Sequence, residues 1–147
     1  MESRKSTATD PLVPHLLRID RGEKIMESLL GYVRANTIKS GFLTGIGATM
    51  KAEIGWFDTQ AQVYRTRVFE EPCEITTMIG NIAWHEGDPI AHTHITLGRE
   101  DFSVVGGHLI EATVGVTCEI WLLESDMDIY RNPSSIGNLK LIDFKSK

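Results

Sequence analysis

The stretch His108–Glu124 reads HLIEATVGVTCEIWLLE and decides the fold class. Ala112, Val114, Val116, Cys118, Ile120 and Leu122 alternate along it with Thr113, Gly115, Thr117, Glu119, Trp121 and Leu123. Side chains two apart in a strand share a face, so the run predicts one long strand whose first set of residues faces the core. The second set still contains Trp121 and Leu123, so that face is expected to be partly covered, and a subunit interface is one way to cover it.

Upstream, short apolar runs and turn signals alternate. KAEIGWF, the turn DTQAQ and VYRTRVF predict a hairpin. CEITTMIGNIAW leads through HEGDP to IAHTHITL, and GREDFSVVGG reads as the loop before the long strand. GFLTGIGAT carries Gly45 and Gly47 in an extended run, which predicts a strand that another backbone approaches closely. LLRI at Leu16–Ile19 reads as a short first strand, and GNLKLIDFK as a returning edge strand after a turn at RNPSS.

One segment has helical spacing. Ile25, Leu29 and Val33 recur every four residues, flanked by Met26 and Leu30. Asp20 and Glu23 are spaced as a capping box, and the helix is expected to run to Lys39 with Gly41 as its terminator. One amphipathic helix among strands at hairpin spacing gives an α+β single domain with a largely antiparallel sheet. Residues 1–14 are read as a flexible lead-in and 15–147 as the domain.

Composition narrows the function classes. The formal net charge is -5, and no dense basic arm is present, which weighs against direct nucleic-acid binding without excluding it. Cys73 and Cys118 lack ligand spacing and read as buried free thiols, Cys118 by its core parity. Neither an apolar leader nor a run of transmembrane length is visible, so the expectation is a cytoplasmic protein without membrane contact. Glycine-rich nucleotide loops and nucleophile motifs are likewise missing.

Three of the five histidines lie in PIAHTHITLGREDFSVVGGHLIEA, Pro89–Ala112. At strand spacing His92 and His94 point the same way, and their backbones are roughly 7 Å apart. His108 joins them if the chain between Gly98 and Gly107 folds back, with Gly106 and Gly107 allowing close approach. Three neutral imidazoles with an open fourth position suit a zinc site. The competing reading is structural: polar histidines hydrogen-bonded in a cleft or at an interface. His15 and His85 are read as solvent-facing, although either could complete a site. Glu86, Asp88, Glu100, Asp101 and Glu111 are the nearby carboxylates able to orient a ligand or move a proton, with no basis for choosing among them.

The ordered segments RGEKIMESL, GFLTGIGA, EIGWFD, EITTMIGNIAW, GDPIAHTHITL and GGHLIEATVGVTCEIWL resemble the PPC (plants and prokaryotes conserved) domain, earlier catalogued as a domain of unknown function. The resemblance spans Leu16 to Phe144. It implies a homotrimer, an antiparallel sheet similar to that of acetolactate decarboxylase, and a metal, zinc, on His92, His94 and His108. Plant members add AT hooks that bind DNA, but the Arg-Gly-Arg-Pro core is missing here, so this chain resembles the stand-alone prokaryotic type. The expectation is a trimeric metal-site protein that binds or converts a small molecule. A DNA-associated regulator and a purely structural interaction domain are the alternatives. No substrate is implied.

Overall fold

The computed structural model describes residues 12–143. Its elements are β1 (Val13–Asp20), α1 (Ile25–Ala35), β2 (Ser40–Asp58), β3 (Val63–Phe69), β4 (Cys73–His85), β5 (Asp88–Gly98), β6 (Val104–Ser125), β7 (Tyr130–Pro133) and β8 (Lys140–Asp143). The expected α+β architecture is present: one helix, and a sheet whose pairings are antiparallel except for the β4–β7 contact. The predicted lead-in lies largely outside the described residues. β1 itself starts at Val13, which pairs with Glu124, so it is longer than the four residues LLRI.

β6 is the spine. One edge runs along β2, and the other is shared by β5, which pairs near His108, and β1, which pairs over Thr117–Glu124. β2 also bonds β4, and β4 bonds β5, so β2, β6, β5 and β4 close into a ring. The GFLTGIGAT and KAEIGWF segments form one continuous strand, β2. The close approach expected at its glycines is real. A Cβ on Gly47, whose φ is +151°, would sit 2.1 Å from the Thr117 carbonyl oxygen, and one on Gly45 would sit 2.9 Å from that of Glu119.

The core face of β6 holds as read at Ala112, Val114, Cys118, Ile120 and Leu122, but Val116 is 67% exposed. The register explains this exception. Gly47 pairs with Cys118 and Thr49 with Val114, so β6 carries extra residues between them, and the resulting bulge turns Val116 outward. Cys73 and Cys118 are free and buried. Burial pushes the Cys118 thiol up to about 11, so it stays protonated and serves as packing.

Helix α1 buries Ile25, Met26, Leu29 and Val33 as its periodicity predicted, but both predicted ends are displaced. The Asp20 amide does donate to Glu23 Oε2 at 2.7 Å, yet this closes a turn before the helix, and the N-cap is Lys24 without a side-chain bond. The first-turn amides of Met26 and Glu27 instead donate to the Glu111 carboxylate of β6, at 2.9 and 3.2 Å. At the other end Thr37 takes φ +54°, and the amides of Thr37 and Ile38 return to the carbonyls of Arg34 and Val33. That is a Schellman end with threonine in the usual glycine position. The helix therefore stops at Ala35, and Gly41 lies inside β2.

Candidate metal centre

The β4–β5 turn needs two residues with positive φ, and Glu86 (+50°) and Gly87 (+86°) supply them. It sets the register that pairs Asn81 with His92 and Ile79 with His94. Ala91, Thr93, Ile95 and Leu97 are buried on one face of β5, leaving His92 and His94 on the other. The loop into β6 is shorter than GREDFSVVGG suggests, because β6 already begins at Val104 and pairs with Gly98. His94 then faces His108 directly across the hairpin. A Cβ on Gly107 would lie 2.6 Å from the Gly55 carbonyl oxygen, and one on Gly106 2.9 Å from that of Ile95. Glycine is what lets β6 fit between its neighbours here.

The three predicted histidines therefore converge. Their ring centroids are 5.2, 5.2 and 5.6 Å apart, and one candidate ligand atom from each lies within 4.8 Å of the others. Nitrogens around a tetrahedral zinc sit about 3.4 Å apart, a difference that small side-chain rotations can close. His92 and His108 are partly buried, while His94 is exposed. Burial, then the charge of Arg131 and the neighbouring histidines, lowers the His92 pKa to about 4. Burial likewise lowers that of His108. Both imidazoles are thus neutral at pH 7, the state a metal requires. The Nδ1 of His108 is buried and has no hydrogen-bond partner among the described residues. An unsatisfied buried ring nitrogen is costly in a purely structural cluster and natural beside a metal.

The surroundings differ from the sequence reading. His15 and His85 do not face solvent, and neither joins the cluster. His15 bridges Tyr32 Oη and Glu124 Oε2 at 2.9 and 2.8 Å, and His85 Nδ1 lies 2.8 Å from the Arg131 carbonyl oxygen. No carboxylate belongs to the cluster among the described residues. Glu111 caps α1, Asp88 pairs with Arg34, Asp101 binds Ser103, Glu86 lies beside His85, and Glu100 lines a separate cleft.

What does stand at the site was not visible in the sequence. Tyr64 of β3 packs its ring 5.1 Å from that of His108, and Arg131 of β7 brings Nη2 to 3.4 Å from His92 Nδ1. The turn expected at RNPSS is displaced, because Tyr130–Pro133 is a strand and the turn follows it. The β7–β8 hairpin forms one wall of a cleft of about 470 Å³, which His92, His108, Tyr64 and Arg131 also line.

Fold and site together define an α+β protein with three convergent histidines able to coordinate a metal ion at a small cleft. The chain belongs to the Plants and Prokaryotes Conserved (PCC) domain family, whose model matches residues 6–126. Among solved structures, a candidate DNA-binding protein of Bacteroides thetaiotaomicron is similar at 28% identity, over 90% of this chain and 93% of its own, with a TM-score of 0.87. A metal-containing protein of Archaeoglobus fulgidus is similar at 28% identity, over 95% and 99%, with a TM-score of 0.85. The α-acetolactate decarboxylase of Bacillus subtilis shares the fold at 14% identity, over 76% of this chain and 52% of its own, with a TM-score of 0.53. No curated protein matches the chain significantly. No helix among the described residues is long and apolar enough to cross a membrane.

Proposed function

We propose that this protein is a cytoplasmic homotrimer that holds zinc on His92, His94 and His108 and binds or converts a small molecule in the adjoining cleft. The observation that carries this reading is the convergence of the three imidazoles, two of which, His92 and His108, line the cleft, with His108 Nδ1 buried and without a partner among the described residues. The cleft volume, about 470 Å³, is that of a small-molecule site. The metal-containing relative from Archaeoglobus fulgidus supports the same reading, and two buried free thiols suit a reducing compartment. When bound, zinc would polarise a carbonyl or acidify a water. The chain's own contribution is to keep His92 and His108 neutral by burial, to orient His108 against Tyr64, and to shield one side with the β7–β8 hairpin.

Elemental analysis of protein purified without an affinity tag or chelator tests the site. About one zinc per chain is expected, falling several-fold in His92→Ala and His108→Ala. Wild-type protein with less than about 0.2 zinc per chain after incubation with the metal would sink the reading.

A second reading is a DNA-associated role. The name of the Bacteroides thetaiotaomicron relative, a candidate DNA-binding protein, favours it over small-molecule conversion. The chain's charge of -5 opposes it. Titration of an A·T-rich duplex at several salt concentrations separates the two. Submicromolar affinity that falls steeply with salt would put DNA first.

A further inference from the structure

Arg131 is 5% exposed, and among the described residues no carboxylate lies within ion-pairing distance of it. Its guanidinium meets only uncharged groups. Nη1 donates to the Lys140 carbonyl oxygen at 2.9 Å, Nη2 donates to Asn81 Oδ1 at 2.8 Å, and Nη2 lies 3.4 Å from His92 Nδ1. Nε is buried and has no partner. Arginine stays protonated in proteins even when burial lowers its pKa, as it does here. A buried positive charge without a counter-ion is destabilising. The fold nevertheless fixes it, with the His85 ring against the Arg131 carbonyl and Arg131 paired with Ile142 of β8. Lys140 lines the same cleft and adds a second positive charge.

The contact with His92 has a chemical consequence. In the metal-free protein His92 Nδ1 can accept from Arg131 Nη2 only if the ring proton sits on Nε2. Ligation through Nε2 would move that proton to Nδ1, and ligation through Nδ1 would consume its lone pair. Either way Nδ1 stops accepting, and a guanidinium N–H beside the cleft loses its partner.

We propose that the cleft binds a small oxyanion, the chemistry shared by carboxylates and phosphate monoesters, that Arg131 holds the anionic group, and that loading the histidines with metal strengthens this binding. The proposal rests on the metal reading above, and it names the class of ligand that reading leaves open. The anion would neutralise a charge that no carboxylate among the described residues compensates, and the Nη2 proton that His92 no longer accepts is a charge-assisted donor for one of its oxygens.

Calorimetric titration of acetate and of inorganic phosphate into zinc-loaded and zinc-free protein tests it, with zinc content measured on each sample. At least one anion is expected to bind the loaded wild type saturably. Its affinity should fall about tenfold or more both without zinc and in Arg131→Met. The acetate and phosphate arms identify which anion class the cleft prefers. Because Arg131→Met could unfold the β7–β8 hairpin, wild-type crystals soaked in arsenate or in 4-bromobenzoate, neither of which alkylates histidine or cysteine, supply a second measurement, with the arsenic or bromine signal expected beside the guanidinium. Zinc uptake with no anion binding tighter than about 10 mM would overturn this inference alone. So would anion density away from Arg131, or unchanged affinity in a folded Arg131→Met. Anion binding at Arg131 in a chain that takes up no zinc would instead overturn the metal reading and the linkage.

Discussion

His92 shows how much one residue's surroundings add to its type. As an isolated imidazole it would titrate near 6.5, but burial and the adjacent Arg131 hold it at about 4 in the folded chain. The unfolded chain therefore takes up a proton that the folded chain refuses between about pH 6.5 and pH 4. Stability of the metal-free protein should fall as pH is lowered through that window and stop falling, for this group, below it. The loss is a few kcal/mol at most. Urea denaturation of metal-free wild type and His92→Gln at several pH values checks this, and the variant should show the shallower slope. Parallel slopes would mean that His92 is not the group responsible. Strand parity in the spacing picked out His92 and His94, and His108 joined them through the expected fold-back of the chain and the family resemblance. It could not pick out Tyr64 or Arg131, which reach the site from β3 and β7 and lie far from the histidines in sequence.

The element scale shows what periodicity reads and what it misses. The buried stripe of α1 was legible because four-residue spacing follows from helix geometry. Its ends were not, because each depends on partners outside the local pattern. Glu111, 85 residues from Met26, accepts the first-turn amides, and a threonine in the left-handed conformation ends the helix where glycine would be expected. Replacing Glu111 with alanine should cost about 1–3 kcal/mol, since two amides lose a charged acceptor, while Glu111→Gln should cost less. Chemical-denaturation midpoints of the two variants decide it, and equal small effects would show that water replaces the cap. The β5–β6 hairpin was legible for the opposite reason. Its glycines and alternating faces are local signals, and they place His94 opposite His108.

Across the whole molecule, cross-strand register connects the site to the outer surface. Leu16 pairs with Trp121, Trp121 with Thr44, Thr44 with Ile79, and Ile79 with His94. Directly paired residues share a face, so one row runs from β1 to the metal centre. Leu16, Trp121 and Ile79 are 61%, 50% and 46% exposed along it, and Phe42 beside them is 45% exposed. An apolar row of this kind is costly in water and fits the proposed trimer. Sedimentation velocity should find the wild type at the mass of three chains and Trp121→Glu dissociated. A monomeric wild type, or a trimer indifferent to the charge, would remove this explanation of the row.

Local spacing carried the period-two and period-four patterns, and through them the strands, the helix face and the shared face of His92 and His94. These are consequences of backbone geometry over a few residues. Long-range packing set the bulge that exposes Val116, the distant cap on α1, the closure of β2 on both β6 and β4, and the place of Arg131 beside His92. Each of these depends on which strands become neighbours, and that is settled by how the whole chain buries its apolar faces rather than by any local spacing.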